Sequence, residues 1–153
     1  MLDLDLTFRS RSRSSLLSTV ASCVNKSIPQ KSQMEWCNRY RKILDSKTDK
    51  RGEDSHICWP FKGRQKAGYG LVDVDIPGKG KTTRHAHRLV LMTRVAGSWD
   101  VSSELQASHL CGNRICVRPS HLVFESREEN KDRQICQSIK ICKTHDPSCI
   151  IAQ

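Results

Sequence analysis

Cys111-x4-Cys116-x4-His121 places two thiols and an imidazole in one short loop, and all three are ligands that zinc favours. His109 stands just outside that loop, and Asn130 follows nine residues after His121. A metal-pinned loop beside a free imidazole and an amide oxygen suits the breaking of phosphodiester bonds. That reaction needs a base to activate water, a hard cation on the scissile phosphate and the leaving oxygen, and a positive donor for the developing charge. His109 fits the first role because imidazole titrates near neutrality. Asn130 offers a neutral oxygen to Mg²⁺, whose other ligands would be phosphate oxygens and water. Arg84, with Arg88 as the second choice, could supply the guanidinium. A lone histidine is seldom a base, and an asparagine at a helix start usually bonds locally. The combination at this spacing carries the assignment.

Two zinc sites are expected. Cys58 is the natural fourth ligand of the first, giving three thiolates and one imidazole with Cys111, Cys116 and His121. Such a closed set is structural and contributes folding energy outright. The second is Cys136-x5-Cys142-x2-His145-x3-Cys149, in a segment otherwise so polar that nothing but a metal would order it. Disulfides are the alternative, but each cluster interleaves a histidine at ligand spacing.

The elements that must hold these groups follow from pattern. Residues 121–124 read as a short strand, and Ser126-x-x-Glu129 as a capping box opening a helix over about residues 127–135, with a Glu129–Arg133 pair one turn apart. With a strand carrying His109, this makes a β-β-α unit in which His109 and Asn130 face each other. Upstream, residues 32–44 predict a helix with a Ser32/Glu35 capping box and an apolar face of Met34, Trp36, Cys37, Tyr40, Ile43 and Leu44. Cys37 on that face reads as a small core residue. Residues 45–55 are polar, a linker. Gly68-Tyr69-Gly70 opens an alternating strand over residues 71–76, Pro77-Gly78-Lys79-Gly80 is turn chemistry, and residues 81–84 return. Asp73 and Asp75 share one face of that hairpin. Lys62, Arg64, Lys66, Lys79, Lys81 and Arg84 make it a basic ribbon of the kind that enters a major groove. Residues 87–96 predict a helix burying Leu89, Val90 and Thr93 and stopped by Gly97. No internal repeat is visible.

Composition agrees. At 153 residues the chain fits one ordered domain, and 37% apolar with 5% aromatic residues makes its hydrophobic core thin, so metals are the expected reinforcement. The formal charge of +10 falls only slightly when six thiolates take up two zinc ions, and a domain this basic meets a polyanion, nucleic acid first. No apolar run approaches the roughly 20 residues that cross a bilayer. No secretory apolar stretch is seen, so the cysteines are expected in a reducing compartment. Residues 1–31, with Arg9-Ser10-Arg11-Ser12-Arg13-Ser14-Ser15, read as a mobile basic tail. It suits nuclear entry, with a mitochondrial leader as the alternative; Cys23 within it has no assigned role. The expected division is therefore tail 1–31, helix and linker 32–55, and zinc-binding domain 56–153.

The run Ala107-Ser108-His109-Leu110-Cys111, with Cys116, Pro119-Ser120-His121-Leu122, Glu125-Ser126, Asn130-Lys131, Arg133 and Cys136, resembles the His-Cys box homing endonucleases. These belong to the ββα-metal (His-Me finger, HNH-like) nucleases. Cys58-Trp59, Gly68-Tyr69-Gly70 and Arg84-His85-Ala86-His87-Arg88-Leu89 resemble that group's amino-terminal half, so the likeness spans about residues 56–149. It implies an α+β fold: a small zinc-stabilised domain with an antiparallel sheet and few helices. It implies His109 as general base and Asn130 as the Mg²⁺ ligand. It also assigns Cys58, Cys111, Cys116 and His121 to one zinc, and Cys136, Cys142, His145 and Cys149 to the other. It further implies double-stranded DNA as substrate, the sheet in the major groove, and a homodimer cutting both strands. The alternative is a zinc-folded nucleic-acid-binding module, derived from a mobile element, that no longer cuts.

Overall fold

The computed structural model describes residues 29–151. Cys23 and nearly all of the expected tail lie outside the described residues. Helix α1 is Gln30–Ser46. It begins two residues before the expected Ser32, with Pro29 at its N-cap and no side-chain cap, so the Ser32/Glu35 box does not form. Its buried stripe is Gln33, Trp36, Cys37, Tyr40 and Leu44. These positions recur at helical spacing, and Met34, one step off the stripe, is 57% exposed where it was expected in the core.

Three antiparallel strands follow, β1 (Gln65–Lys66), β2 (Tyr69–Ile76) and β3 (Gly80–His85), in the order β1-β2-β3. Along β2, Gly70, Val72, Val74 and Ile76 are buried while Asp73 and Asp75 are exposed, the alternation the sequence predicts. The buried ring of Phe61 fills the space where a Cβ on residue 70 would stand, so only glycine fits there. Helix α1 covers the open edge of β2: Trp36 Nε1 donates to the Asp75 carbonyl at 2.8 Å, and the Asp75 amide donates to Tyr40 Oη at 2.6 Å.

Helix α2 (Ala86–Leu91) runs on through a π turn, Met92–Ala96, to Gly97 in the left-handed conformation. Leu89, Val90 and Thr93 are buried as expected. Strands β4 (Gln106–His109) and β5 (Leu122–Glu125) form a separate antiparallel pair with His109 opposite Leu122. Helix α3 (Arg127–Ile139) opens on a full capping box between Ser126 and Glu129. It runs four residues past the expected end, to a left-handed Lys140. The expected Glu129–Arg133 pair is not made. The Glu129 carboxylate is taken up by the Ser126 amide and hydroxyl, and Arg133 turns inward to Glu125.

The fold is thus α+β, with one core in which Trp36, Tyr40 and Leu44 of α1, the inner face of β2, helix α2, Leu122 and Phe124 pack together. Cys37 is part of it, 2% exposed. No helix among the described residues is long and apolar enough to cross a membrane.

Candidate metal centres and the adjoining cleft

The ligand atoms of Cys58, Cys111, Cys116 and His121 all lie within 4.8 Å of one another, as do those of Cys136, Cys142, His145 and Cys149. In the first cluster His121 Nδ1 is 3.7 Å from Cys58 Sγ and 3.6 Å from Cys116 Sγ. In the second, His145 Nδ1 is 3.4 Å from both Cys136 Sγ and Cys142 Sγ, and 3.8 Å from Cys149 Sγ. Ordinary zinc–sulfur and zinc–nitrogen bonds at tetrahedral angles put those atoms about 3.6 Å apart. All six sulfurs are free thiols. Both donor sets fit zinc.

Crowded thiols resist ionising together. The Cys111 hydrogen bond helps hold the Cys116 thiol down at about 5, while that same contact and burial push Cys111 up. A dication in their midst would let all three ionise.

The first cluster is built by two chain segments held side by side. Val117 N donates to the Trp59 carbonyl at 2.9 Å, and Phe61 N to the Ile115 carbonyl at 3.0 Å, which brings Cys58 to Cys116, 58 positions further along the chain. The buried Arg118 guanidinium donates to the carbonyls of Glu53, Asp54 and Ile57 and lies over the Trp59 ring. Residues 45–55, expected as a plain linker, are therefore partly fixed in place. Within them, the Ser55 carbonyl lies 2.6 Å from His121 Nε2. That contact orients the ring so that Nδ1 faces the thiols, as an outer-shell partner does for a metal-bound histidine.

The second cluster is tied to the first through Leu110. The Leu110 amide donates to the His121 carbonyl at 2.8 Å. Its own carbonyl accepts from Ile150 N at 2.7 Å and from Gln137 Nε2 at 2.6 Å. Ile150 and Gln137 each follow a ligand, Cys149 and Cys136. A buried ion pair, Arg133 Nε to Glu125 Oε2 at 2.7 Å, anchors the same region, with Arg133 also donating to the Pro147 carbonyl.

Beside these clusters lies a cleft of about 590 Å³ lined by both His109 and Asn130. His109 Nε2 is 3.0 Å from the carbonyl oxygen of Cys116. A carbonyl only accepts, so Nε2 carries the proton of the neutral ring and Nδ1 keeps the lone pair. Burial lowers the His109 pKa, which keeps the ring neutral. Asn130 Nδ2 donates to Gln106 Oε1 at 2.7 Å, leaving its oxygen as the atom for a cation. The cleft also holds Tyr69, His85, His87, Arg88, Arg114 and Arg133, and no carboxylate is among the residues that line it.

His85 and His87 are prominent here although pattern alone gave them no role. The ring of His87 is 4.5 Å, centroid to centroid, from that of His109, and His85 stacks on His87 at 5.4 Å. Burial, with His109 and His85 alongside, holds His87 at about 3, so it is an uncharged packing partner of His109. The available signal was the His-x-His spacing where β3 meets α2, which sets both imidazoles near the same cleft.

Of the two arginines offered for the third role, Arg84 lines a neighbouring recess with Lys79, Trp99 and Asp100 rather than the cleft of His109. Arg88 reaches the cleft wall, but its guanidinium donates to the carbonyls of Leu105 and Ser102 and lies over Phe124. In the basic ribbon, Lys62, Arg64 and Lys79 pair with Asp49, Asp73 and Asp100, while Lys66 and Lys81 are exposed. Asp73 accepts from both Thr83 and Arg64 and is held below the usual carboxylate range by them.

No curated protein and no solved structure matches this chain. Residues 57–153 match the family model described as the zinc-binding loop region of homing endonuclease, a span that holds both metal centres and the cleft, and the chain belongs to that family.

Proposed function

We propose that this chain is a Mg²⁺-dependent DNA endonuclease, folded by two structural zinc ions, that hydrolyses a phosphodiester bond in the cleft of His109 and Asn130. One observation carries the reading: the contact of His109 Nε2 with the Cys116 carbonyl, which leaves Nδ1 as the basic atom in a cleft lined by arginines, with no carboxylate among the described residues that line it. In the reaction His109 Nδ1 takes a proton from water as the water oxygen bonds to phosphorus. The bond from phosphorus to the leaving oxygen breaks, and that oxygen is protonated from solvent. Asn130, braced by Gln106, would hold the magnesium ion through Oδ1, with phosphate oxygens and water completing the shell. When bound, magnesium supplies neutralisation of charge on the phosphate and the leaving oxygen. The same reading takes double-stranded DNA as substrate, two copies of the chain for a double-strand cut, and a nuclear destination.

Nicking of supercoiled plasmid DNA with Mg²⁺ tests the proposal. The wild-type chain cuts, and His109→Ala binds DNA but cuts far more slowly. Salt-dependent DNA binding without any cutting by the wild type would favour the inactive binding module instead.

A further inference from the structure

Hydrolysis of a phosphodiester gathers negative charge on the non-bridging oxygens, and a fixed cation with spare donors is the group that meets it. Two of the arginines around the site have little to spare, and a third stands elsewhere. Arg84 lies in the neighbouring recess, Arg88 is bound to two carbonyls, and Arg133 is buried against Glu125 and the Pro147 carbonyl.

Arg114 differs. It sits on the first zinc loop between Cys111 and Cys116, is exposed, and makes no hydrogen bond or ion pair among the described residues. Its guanidinium lies over the Tyr69 ring, 5.5 Å from the centroid. The Tyr69 ring is in turn 5.2 Å from His85, 5.4 Å from His87 and 6.2 Å from His109. With no hydrogen bond made among the described residues, the five N–H donors of Arg114 are available as the fork that grips two phosphate oxygens. Arg114 also lines a second, shallower groove with Arg51 and Lys62, so it stands where a phosphate backbone would pass from groove to cleft.

We propose that Arg114 supplies the positive charge on the scissile phosphate. The assignment rests on the nuclease reading above. Its physical advantage is a shared mount: the loop that carries Arg114 ends in Cys116, whose carbonyl orients His109. Cation and base are thus both referred to one loop, Arg114 by lying on it and His109 by its contact with the Cys116 carbonyl.

The test is single-turnover nicking with Mg²⁺ and zinc-loaded protein, comparing wild type, R114A, R114K, R84A and H109A, with DNA affinity measured alongside. R114A is expected to cut about 10²–10³-fold more slowly, with DNA affinity falling less than about tenfold as for the loss of one phosphate contact. R114K recovers part of the rate as a point charge without the fork, and a rate loss in R84A with none in R114A would overturn the assignment. R114A cutting at the wild-type rate while H109A is inactive overturns the role of Arg114 and leaves the nuclease reading standing. H109A cutting normally overturns both.

Discussion

The ring of His109 and the backbone of Cys116 are joined by a 3.0 Å contact between Nε2 and the carbonyl oxygen. One residue is the candidate base and the other a candidate zinc ligand, seven positions further along the chain. The strand β4 delivers the imidazole, but the metal-held loop decides which nitrogen is basic and where it points. Replacing His109 by Ala is expected to slow cutting by about 10²–10⁴-fold and to leave DNA affinity nearly unchanged. Quench-flow rates together with a binding isotherm measure both.

Zinc content separates the two clusters. Elemental analysis is expected to find two zinc ions per wild-type chain and one in Cys142→Ala. In that variant the hydrogen bond from Ile150 to Leu110 loses its anchor. Hydrogen exchange at the Ile150 amide should therefore speed up while amides of β2 and β3 stay protected. Equal loss of protection throughout would mean that the second cluster holds up the entire domain.

Glu125 and Arg133 form a buried pair, 2% and 4% exposed at their side chains. Removing one partner strands the other charge in a dry environment, so Glu125→Ala is expected to destabilise the zinc-loaded protein by about 3–5 kcal/mol. Chemical denaturation reads this directly. An effect under about 1 kcal/mol, the scale of a surface pair, would show that water reaches the site.

The absence of carboxylates among the residues lining the cleft has a consequence for magnesium. One neutral amide oxygen binds a hard dication poorly, so magnesium affinity should be weak in the free protein and rise sharply when DNA brings its phosphates. Calorimetric titration with and without an uncleavable duplex checks this. Asn130→Ala should lose the DNA-dependent binding, whereas Asn130→Asp should bind magnesium even without DNA. Tight binding by the free wild-type chain would contradict the expectation.

Much of this molecule was legible from spacing. The two Cys/His clusters that could hold zinc, the hairpin with its alternating strand and the Ser126/Glu129 box depend on residues near one another in sequence, or on ligand types with few other uses, and the structure has all of them. Less legible was the start of α1. A capping pattern placed it at Ser32, but the Gln33 amide donates to the Pro29 carbonyl at 3.2 Å and the helix runs back to Gln30. A backbone bond there took the place of the side-chain cap, because Pro29 needs no N–H partner at a helix start.

The partners of single polar groups were beyond reach of pattern. Nothing local tells Arg133 to choose Glu125 over Glu129, or sets Arg88 against two carbonyls, because those choices depend on what the fold leaves buried. The sequence by itself determined the ligands, the strands and helices that carry them, and the family. Only the tertiary structure decided which nitrogen of His109 is basic, how Asn130 is turned and which arginine lines the cleft with donors to spare. Each of these depends on hydrogen bonds between residues far apart in the chain or on a cleft that exists only once the chain is folded.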